Sequence, residues 1–227
     1  VDSCLVEVEQ NMDVLKVKAH MTATPVQESS IFTFTLNPGY KVTSVTMNNS
    51  PIKYNRENHL LFVNFSDKLS VNQTVNFVIE YEGIIDERIC YLDIPEELLN
   101  QQEKFMDNFN IGKRYAYQTK EYTLLTPESY WYPRPGVCYS NESPDWQQSY
   151  FTKYKRIVKS NPGMTALSQG KRELSTDSLT TYFYPEYPLQ SLSLIIGPYK
   201  DVSIEVDSTL YSVWYIDGHD FFSEEMN

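Results

Sequence analysis

"DVLKVKAHMTATPV", Asp13 to Val26, decides the fold. Leu15, Val17, Ala19, Met21 and Ala23 alternate without a break with Lys16, Lys18, His20, Thr22 and Thr24. Successive side chains of a strand point to opposite faces. A period of two held this long therefore reads as a β-strand with one face in a core and one in water. The pattern repeats outward from there. "SSIFTFTLN" carries Phe32, Phe34 and Leu36 on one face and stops at the turn "NPGY", Asn37 to Tyr40. "YKVTSVTM", "HLLFVNF" and "QTVNFVIEYEGI" follow, the last with Val75, Phe77, Ile79 and Tyr81 on a common face. Strands recurring at about ten-residue spacing, with Asn, Pro and Gly between them, indicate antiparallel sheet packing.

One segment breaks the pattern. In "DIPEELLNQQEKFMDNF", Asp93 is placed as an N-cap, Pro95 falls in the first turn and Glu96 follows three residues after the cap. Leu98, Leu99, Phe105, Met106 and Phe109 recur at helical spacing, which predicts an amphipathic helical insertion at about 94–110. From Tyr115 strands resume. "SYFTKYKRIVKS" ends at "NPG", "MTALSQG" reads as its hairpin partner, and "SLTTYFYPEYPL", "QSLSLIIGPYKDVSIEV" and "TLYSVWYID" close the series. No repeat or linker divides the chain. The expectation is one domain over 1–227, all-β, a large antiparallel β-sandwich or saddle of roughly 12–15 strands with one helical insertion.

Composition agrees. Of 227 residues 41% are apolar and 14% aromatic, enough for a real core, which excludes wholesale disorder. A net charge of −11 and a pI near 4.7 argue against a nucleic-acid partner, which needs a basic footprint. The charge is uneven: Lys153 to Arg172 holds six basic residues and no acid, and Asp201 to Asn227 seven acids and no base. The plainer reading is of solvated strand faces that attract one another. Cys4, Cys90 and Cys138 lie far apart without C-x-x-C spacing, so one disulfide is possible and its pairing stays open. N-x-S/T triplets begin at Asn48, Asn64, Asn72 and Asn141. The chain opens at Val1 with no signal peptide or apolar run of membrane-spanning length, and reads as a segment of something longer.

Catalytic patterns are sparse. His20 and His59 read as surface residues. "DGHD", Asp217 to Asp220, flanks His219 with carboxylates, but D-G is a common turn and zinc sites usually draw several His or Cys ligands. H-E-x-x-H, G-x-S-x-G, a Walker loop and G-x-G-x-x-G are all missing. No catalytic residue, metal ligand or cofactor is assigned to this segment. Two ring clusters, Tyr130–Trp131–Tyr132 and Tyr182–Phe183–Tyr184 with Tyr187, could stack on sugars. Alternating rings in strands more commonly pack inward. The first cluster sits in "EYTLLTPESYWYPRPG", Glu121 to Gly136, whose three prolines make a stiff corner.

The order of elements from that corner onward resembles the N-terminal β-domain of the zinc aminopeptidases of the aminopeptidase N family. Tyr132-Pro133 stands at the corner, Ala166-Leu167-Ser168-Gln169-Gly170 at a small-residue tip, and Gly197 with Tyr199 at a strand end; "YEG", Tyr81 to Gly83, matches the front half. The resemblance spans nearly the whole chain as an order of elements. There are departures. Glu128-Ser129 replaces the family's Ala-Arg, and Arg134-Pro135 stands where an acid usually follows the proline. Thr123 falls near the position from which the family presents Gln or Glu to the substrate. The resemblance implies that this domain packs on a downstream catalytic domain, beginning after about Asn227, and walls one side of its cleft. Zinc and the peptide substrate belong to that domain. Thr123, Tyr130, Trp131, Tyr132, Pro133 and Arg134 are the candidate cleft or domain-interface residues. Similar segments occur in long bacterial proteins that fuse transporter-type spans to a peptidase-like portion. The atypical corner points to such a divergent member, extracytoplasmic, with membrane contact only through other segments. The alternatives are a free-standing carbohydrate- or protein-binding β-sandwich and an enzyme built on "DGHD".

Overall fold

The computed structural model describes residues 1–91, 115–137 and 150–220. The expected helical insertion, Cys138 and the sequon at Asn141 fall outside them.

The strands, numbered in chain order, form one large sheet and three small ones. The large sheet runs β14 (Lys171–Leu174), β15 (Thr180–Tyr184), β12 (Lys153–Lys159), β1 (Ser3–Asn11), β2 (Val14–Ala23), β8 (Val75–Gly83), β4 (Tyr40–Met47), β5 (Ser50–Pro51). A four-stranded sheet is ordered β11 (Arg134–Pro135), β3 (Ser29–Thr35), β7 (Leu60–Leu69), β6 (Lys53–Glu57). A second is ordered β13 (Thr165–Ser168), β16 (Leu194–Gly197), β10 (Thr123–Leu125), β9 (Ala116–Gln118). A lone ribbon pairs β17 (Tyr199–Val206) with β18 (Thr209–Ile216). The described residues form eighteen strands, more than the 12–15 expected; β5 and β11 among them are two-residue ladders, too short to show any alternation.

The alternation in β2 is realised: Leu15, Val17, Ala19, Met21 and Ala23 are all buried. They meet Val6 and Val8 of β1 and Phe77, Ile79 and Tyr81 of β8 on the sheet's inner face. The outer face is charged and cross-linked between neighbouring strands, as in Lys18–Glu80 at 2.8 Å and Lys159–Glu9 at 2.7 Å. His20, whose sequence neighbours include no carboxylate, receives one from across the sheet: its Nε2 lies 3.1 Å from Oε2 of Glu7. The core is sealed by rings. Phe32, Phe65, Phe34 and Phe77 interlock at centroid distances of 5.0–6.2 Å between the large sheet and the β3–β7 sheet. Among the described residues every pairing is antiparallel except β1 with β12, parallel from Ser3↔Lys153 to Glu9↔Lys159.

"MTALSQG" is not the hairpin partner of β12. β13 pairs with β16 in a different sheet, and β12 is flanked by β1 and β15. The turn before β13 hands the chain from one layer to the other, a step that leaves no mark on hydrophobic periodicity. Gly170 hands it back to β14. Its φ is +98°, and a Cβ there would sit 2.5 Å from the backbone nitrogen of Pro185. Both counts require glycine.

Candidate functional site

The corner begins as a single 3-10 turn, Pro127–Ser129, with proline in its first position. It ends at Tyr130 in the left-handed region, φ 48° and ψ 42°. A bulky side chain there costs about 1–2 kcal/mol, so the surroundings must hold it. Asn37 does so from the "NPGY" turn. Its backbone N–H donates to the carbonyl of Tyr130 at 2.8 Å. Its side-chain amide donates to the carbonyls of Ser129 at 2.7 Å and Asp86 at 3.2 Å. Its Oδ1 accepts from the N–H groups of Asp86 at 2.7 Å and Gly39 at 2.9 Å. Asn37 is fully buried.

The next residues tie the corner to the remaining layers. Trp131, fully buried, donates from Nε1 to the carbonyl of Leu192 at 3.1 Å, while its own carbonyl accepts the Tyr81 hydroxyl at 3.0 Å. The Tyr132 hydroxyl accepts the Leu192 N–H at 3.1 Å, and its ring meets Tyr154 edge-on. Pro133 is buried. Arg134 and Pro135 pair with Thr35 and Phe34, and the Arg134 guanidinium lies 5.7 Å from the centre of the Tyr130 ring. Burial pushes the hydroxyls of Tyr81 and Tyr132 well above the ordinary tyrosine range, so both stay protonated hydrogen-bonding groups. The rings of the Tyr130–Tyr132 cluster are core, and no sugar could stack on them.

Gln118 is a second buried hub that the sequence did not single out. Its amide donates to the carbonyls of Asp13 at 2.7 Å and Gly83 at 2.9 Å; its Oε1 accepts from Ile85 N–H at 3.1 Å and the Tyr40 hydroxyl at 3.4 Å. It joins β9 to the ends of β2 and β8.

Thr123 is fully buried, and its hydroxyl has no hydrogen-bond partner. It points into the core with Leu125, so the outward residues of this stretch are Tyr122 and Leu124. Strand register then lines up one residue from each strand of the sheet. Tyr117 lies opposite Leu124, Leu124 opposite Ile195, and Ile195 opposite Leu167. The four form an apolar, half-buried row straight across the face turned away from the core. The Tyr122 and Tyr199 hydroxyls, 3.0 Å apart, continue it toward the ribbon.

The remaining candidates are dispersed. In "DGHD", Asp217 is engaged by Lys200 at 2.6 Å and the backbone turns through Gly218 at φ +80°. Among the described residues no three His, Cys, Asp or Glu side chains converge as metal ligands, and no helix is long and apolar enough to cross a membrane. Phe183 is buried beneath β15 while Tyr184 and Tyr187 are exposed. Tyr182 and Tyr184 have ring planes 3° apart. A groove of about 730 Å³ lies elsewhere, on the outer face of the large sheet beside Leu5, His20, Lys155 and Tyr187.

No family model and no curated protein matches the sequence. Solved structures do. A two-domain M1 zinc metallopeptidase mutant bound to L-tryptophan superposes with a TM-score of 0.67 at 14% identity, over 96% of this chain and 48% of that one. An M1 zinc metallopeptidase from Deinococcus radiodurans gives 0.64 at 12% identity, over 94% and 46%. A two-domain M1 enzyme mutant bound to L-arginine gives 0.65 at 13%, over the same shares. The chain thus has an M1 zinc metallopeptidase-like fold and spans about half the length of the structures it matches.

Proposed function

We propose that this chain is the non-catalytic N-terminal β-domain of a zinc-aminopeptidase-like protein, packing on a downstream catalytic domain and walling one side of its cleft. The observation that carries the reading is one of proportion. Nearly all of this chain, but only about half of each matched metallopeptidase, is shared. The zinc and the chemistry on a peptide substrate then belong to the other half. On this reading the row Tyr117–Leu124–Ile195–Leu167 supplies the apolar centre of the docking surface, since interfaces that hold domains together bury such patches. The corner residues Thr123 and Tyr130 to Pro133 act as a buried frame, and Arg134, half-exposed, is the one of the set that reaches a neighbour. The parent is a divergent bacterial protein with this domain on the extracytoplasmic side, any membrane attachment lying in other segments.

The test uses this chain and the longer product of its gene. Residues 1–227 alone are expected to leave aminoacyl-nitroanilides intact and to hold no stoichiometric zinc by elemental analysis. The longer product is expected to carry H-E-x-x-H beyond Asn227, and Leu124→Arg to loosen its two halves without unfolding either. Hydrolysis or one tightly held zinc in 1–227, or a gene that ends at Asn227, overturns the proposal.

A further inference from the structure

Strand register lays two rows of side chains across the outer face of the large sheet. Lys153 lies opposite Ser3, Ser3 opposite Thr22 and Thr22 opposite Asn76, a wholly polar row over β12, β1, β2 and β8. Two residues away on each strand, Lys155, Leu5, His20 and Val78 form the second. Strands about 4.8 Å apart make each row about 14 Å long. The rows floor the groove of about 730 Å³. At one end stands the turn Asn48–Asn49, at positive φ (49° and 66°), where the Asn48 N–H donates to the Asn76 carbonyl at 2.8 Å. At the other is the loop 185–188, pinned beside β12 by reciprocal backbone bonds between Thr152 and Leu189 at 2.9 and 3.0 Å.

The chemistry of the groove differs from that of the rest of this face. Lys18 and Lys159 are bound to Glu80 and Glu9, but Lys153 and Lys155, both exposed, pair with no carboxylate among the described residues. The carboxylates at hand are Glu186 on the rim and Glu7, which His20 holds at 3.1 Å. The groove therefore carries two unpaired ammonium groups in a chain of net charge −11. The Thr22 hydroxyl donates to Oδ1 of Asn76 at 3.0 Å, which leaves the amide N–H groups of Asn76 to donate elsewhere. Tyr187 is 71% exposed, and Pro188 restricts the backbone before it, so the loop presents the ring stiffly.

These features select an occupant. The backbone groups of the floor are already paired in the ladders, so no peptide strand can add there. In the two rows the apolar members are Leu5 and Val78, too few to seat an apolar anchor. Amide and hydroxyl groups beside an exposed ring match the hydroxyls and the apolar face of a sugar, and free lysines favour carboxylates. We propose that this groove binds a uronic-acid oligosaccharide, with a sugar face on Tyr187, carboxylates at Lys153 and Lys155 and hydroxyls at Asn76. The proposal does not rest on domain docking. The large sheet and the β10–β16 sheet bury their inner faces in one core, so the groove and the Tyr117–Leu167 row lie on opposite outer faces.

The experiment is isothermal titration of 1–227 with oligogalacturonate, oligoalginate and hyaluronan oligosaccharides, with heteronuclear NMR spectra to locate the site. At least one of the three is expected to bind, to shift the amide signals of Lys153, Lys155 and Tyr187, and to bind more weakly as salt rises. Fully methyl-esterified oligogalacturonate and polyglutamate are the controls, each expected to bind at least about 10-fold more weakly than the acidic sugar. Tyr187→Ala and Lys153→Ala/Lys155→Ala should each lose at least about 10-fold in affinity. The replaced side chains are exposed, so both variants should melt within about 2 °C of the parent. Binding by none of the three sugars, or binding unchanged in both variants, overturns the proposal. So does polyglutamate binding as tightly, which would reduce the groove to a charged patch, or an ester binding as tightly, which would remove the role of the carboxylate.

Discussion

Replacing Asn37 with alanine removes four side-chain hydrogen bonds at once, two donated to the carbonyls of Ser129 and Asp86 and two accepted from the N–H groups of Asp86 and Gly39. The site is buried, so the orphaned groups find little water. At about 1 kcal/mol net for each bond, the loss is about 4 kcal/mol. A domain of this size shifts by about 2–4 °C for each kcal/mol, so the melting temperature should fall by about 8–16 °C. Asn37→Asp is the sharper control. It keeps the shape and both accepted bonds but sets a carboxylate oxygen against two carbonyls. The folded state therefore raises the pKa of that carboxyl above its unfolded value, and the penalty is present at neutral pH and shrinks as acid protonates the group. Thermal melts by circular dichroism at pH 7 and pH 5 read both effects. A melting temperature for Asn37→Ala within about 2 °C of the parent would refute the idea that one amide holds the corner.

Further outcomes follow from the same structure. Because Tyr130 sits at φ 48°, Tyr130→Gly should be more stable than Tyr130→Ala by about 1 kcal/mol, reversing the usual order of these residues, and denaturant titrations read the difference. Arg156 is fully buried against Gln169 and the Phe183 ring, its Nε has no partner, and burial lowers its pKa to about 10. Arg156→Met should melt at or above the parent temperature while Arg156→Ala leaves a cavity and loses about 3 kcal/mol; equal losses would contradict this. Burial pushes the Cys4 thiol up to about 12, so native protein at pH 8 should resist iodoacetamide at Cys4 until it is unfolded. Prompt Cys4 alkylation, seen by peptide mass spectrometry, would count against the packing.

What the sequence discloses depends on the range of the interaction. Lys16 to Thr24 disclose β2 because alternation is local, and the burial of its partners follows from the same rule. Thr123 misleads because a three-residue strand has no period from which to tell its inner face from its outer one. Leu124, Tyr117, Ile195 and Leu167 come from four short strands, one residue each, so no window contains the row. Asn37 reads as an ordinary turn residue before Pro-Gly. Its decisive contacts lie 49 and 92 positions away, at Asp86 and Ser129. Glu7 and His20 meet only because β1 and β2 pair. The resemblance to zinc aminopeptidases is carried by element order, which survives when side chains diverge to 12–14% identity.

The parallel seam between β1 and β12 orders events in time. It joins residues 150 positions apart, so β1 lacks one neighbour until Lys159 has emerged. Non-local closure of this kind slows folding and leaves an unpaired backbone open to misassociation meanwhile. β1 is thus a keystone set early and locked late, and a nascent chain halted before Lys153 carries an open seam through the middle of its principal sheet.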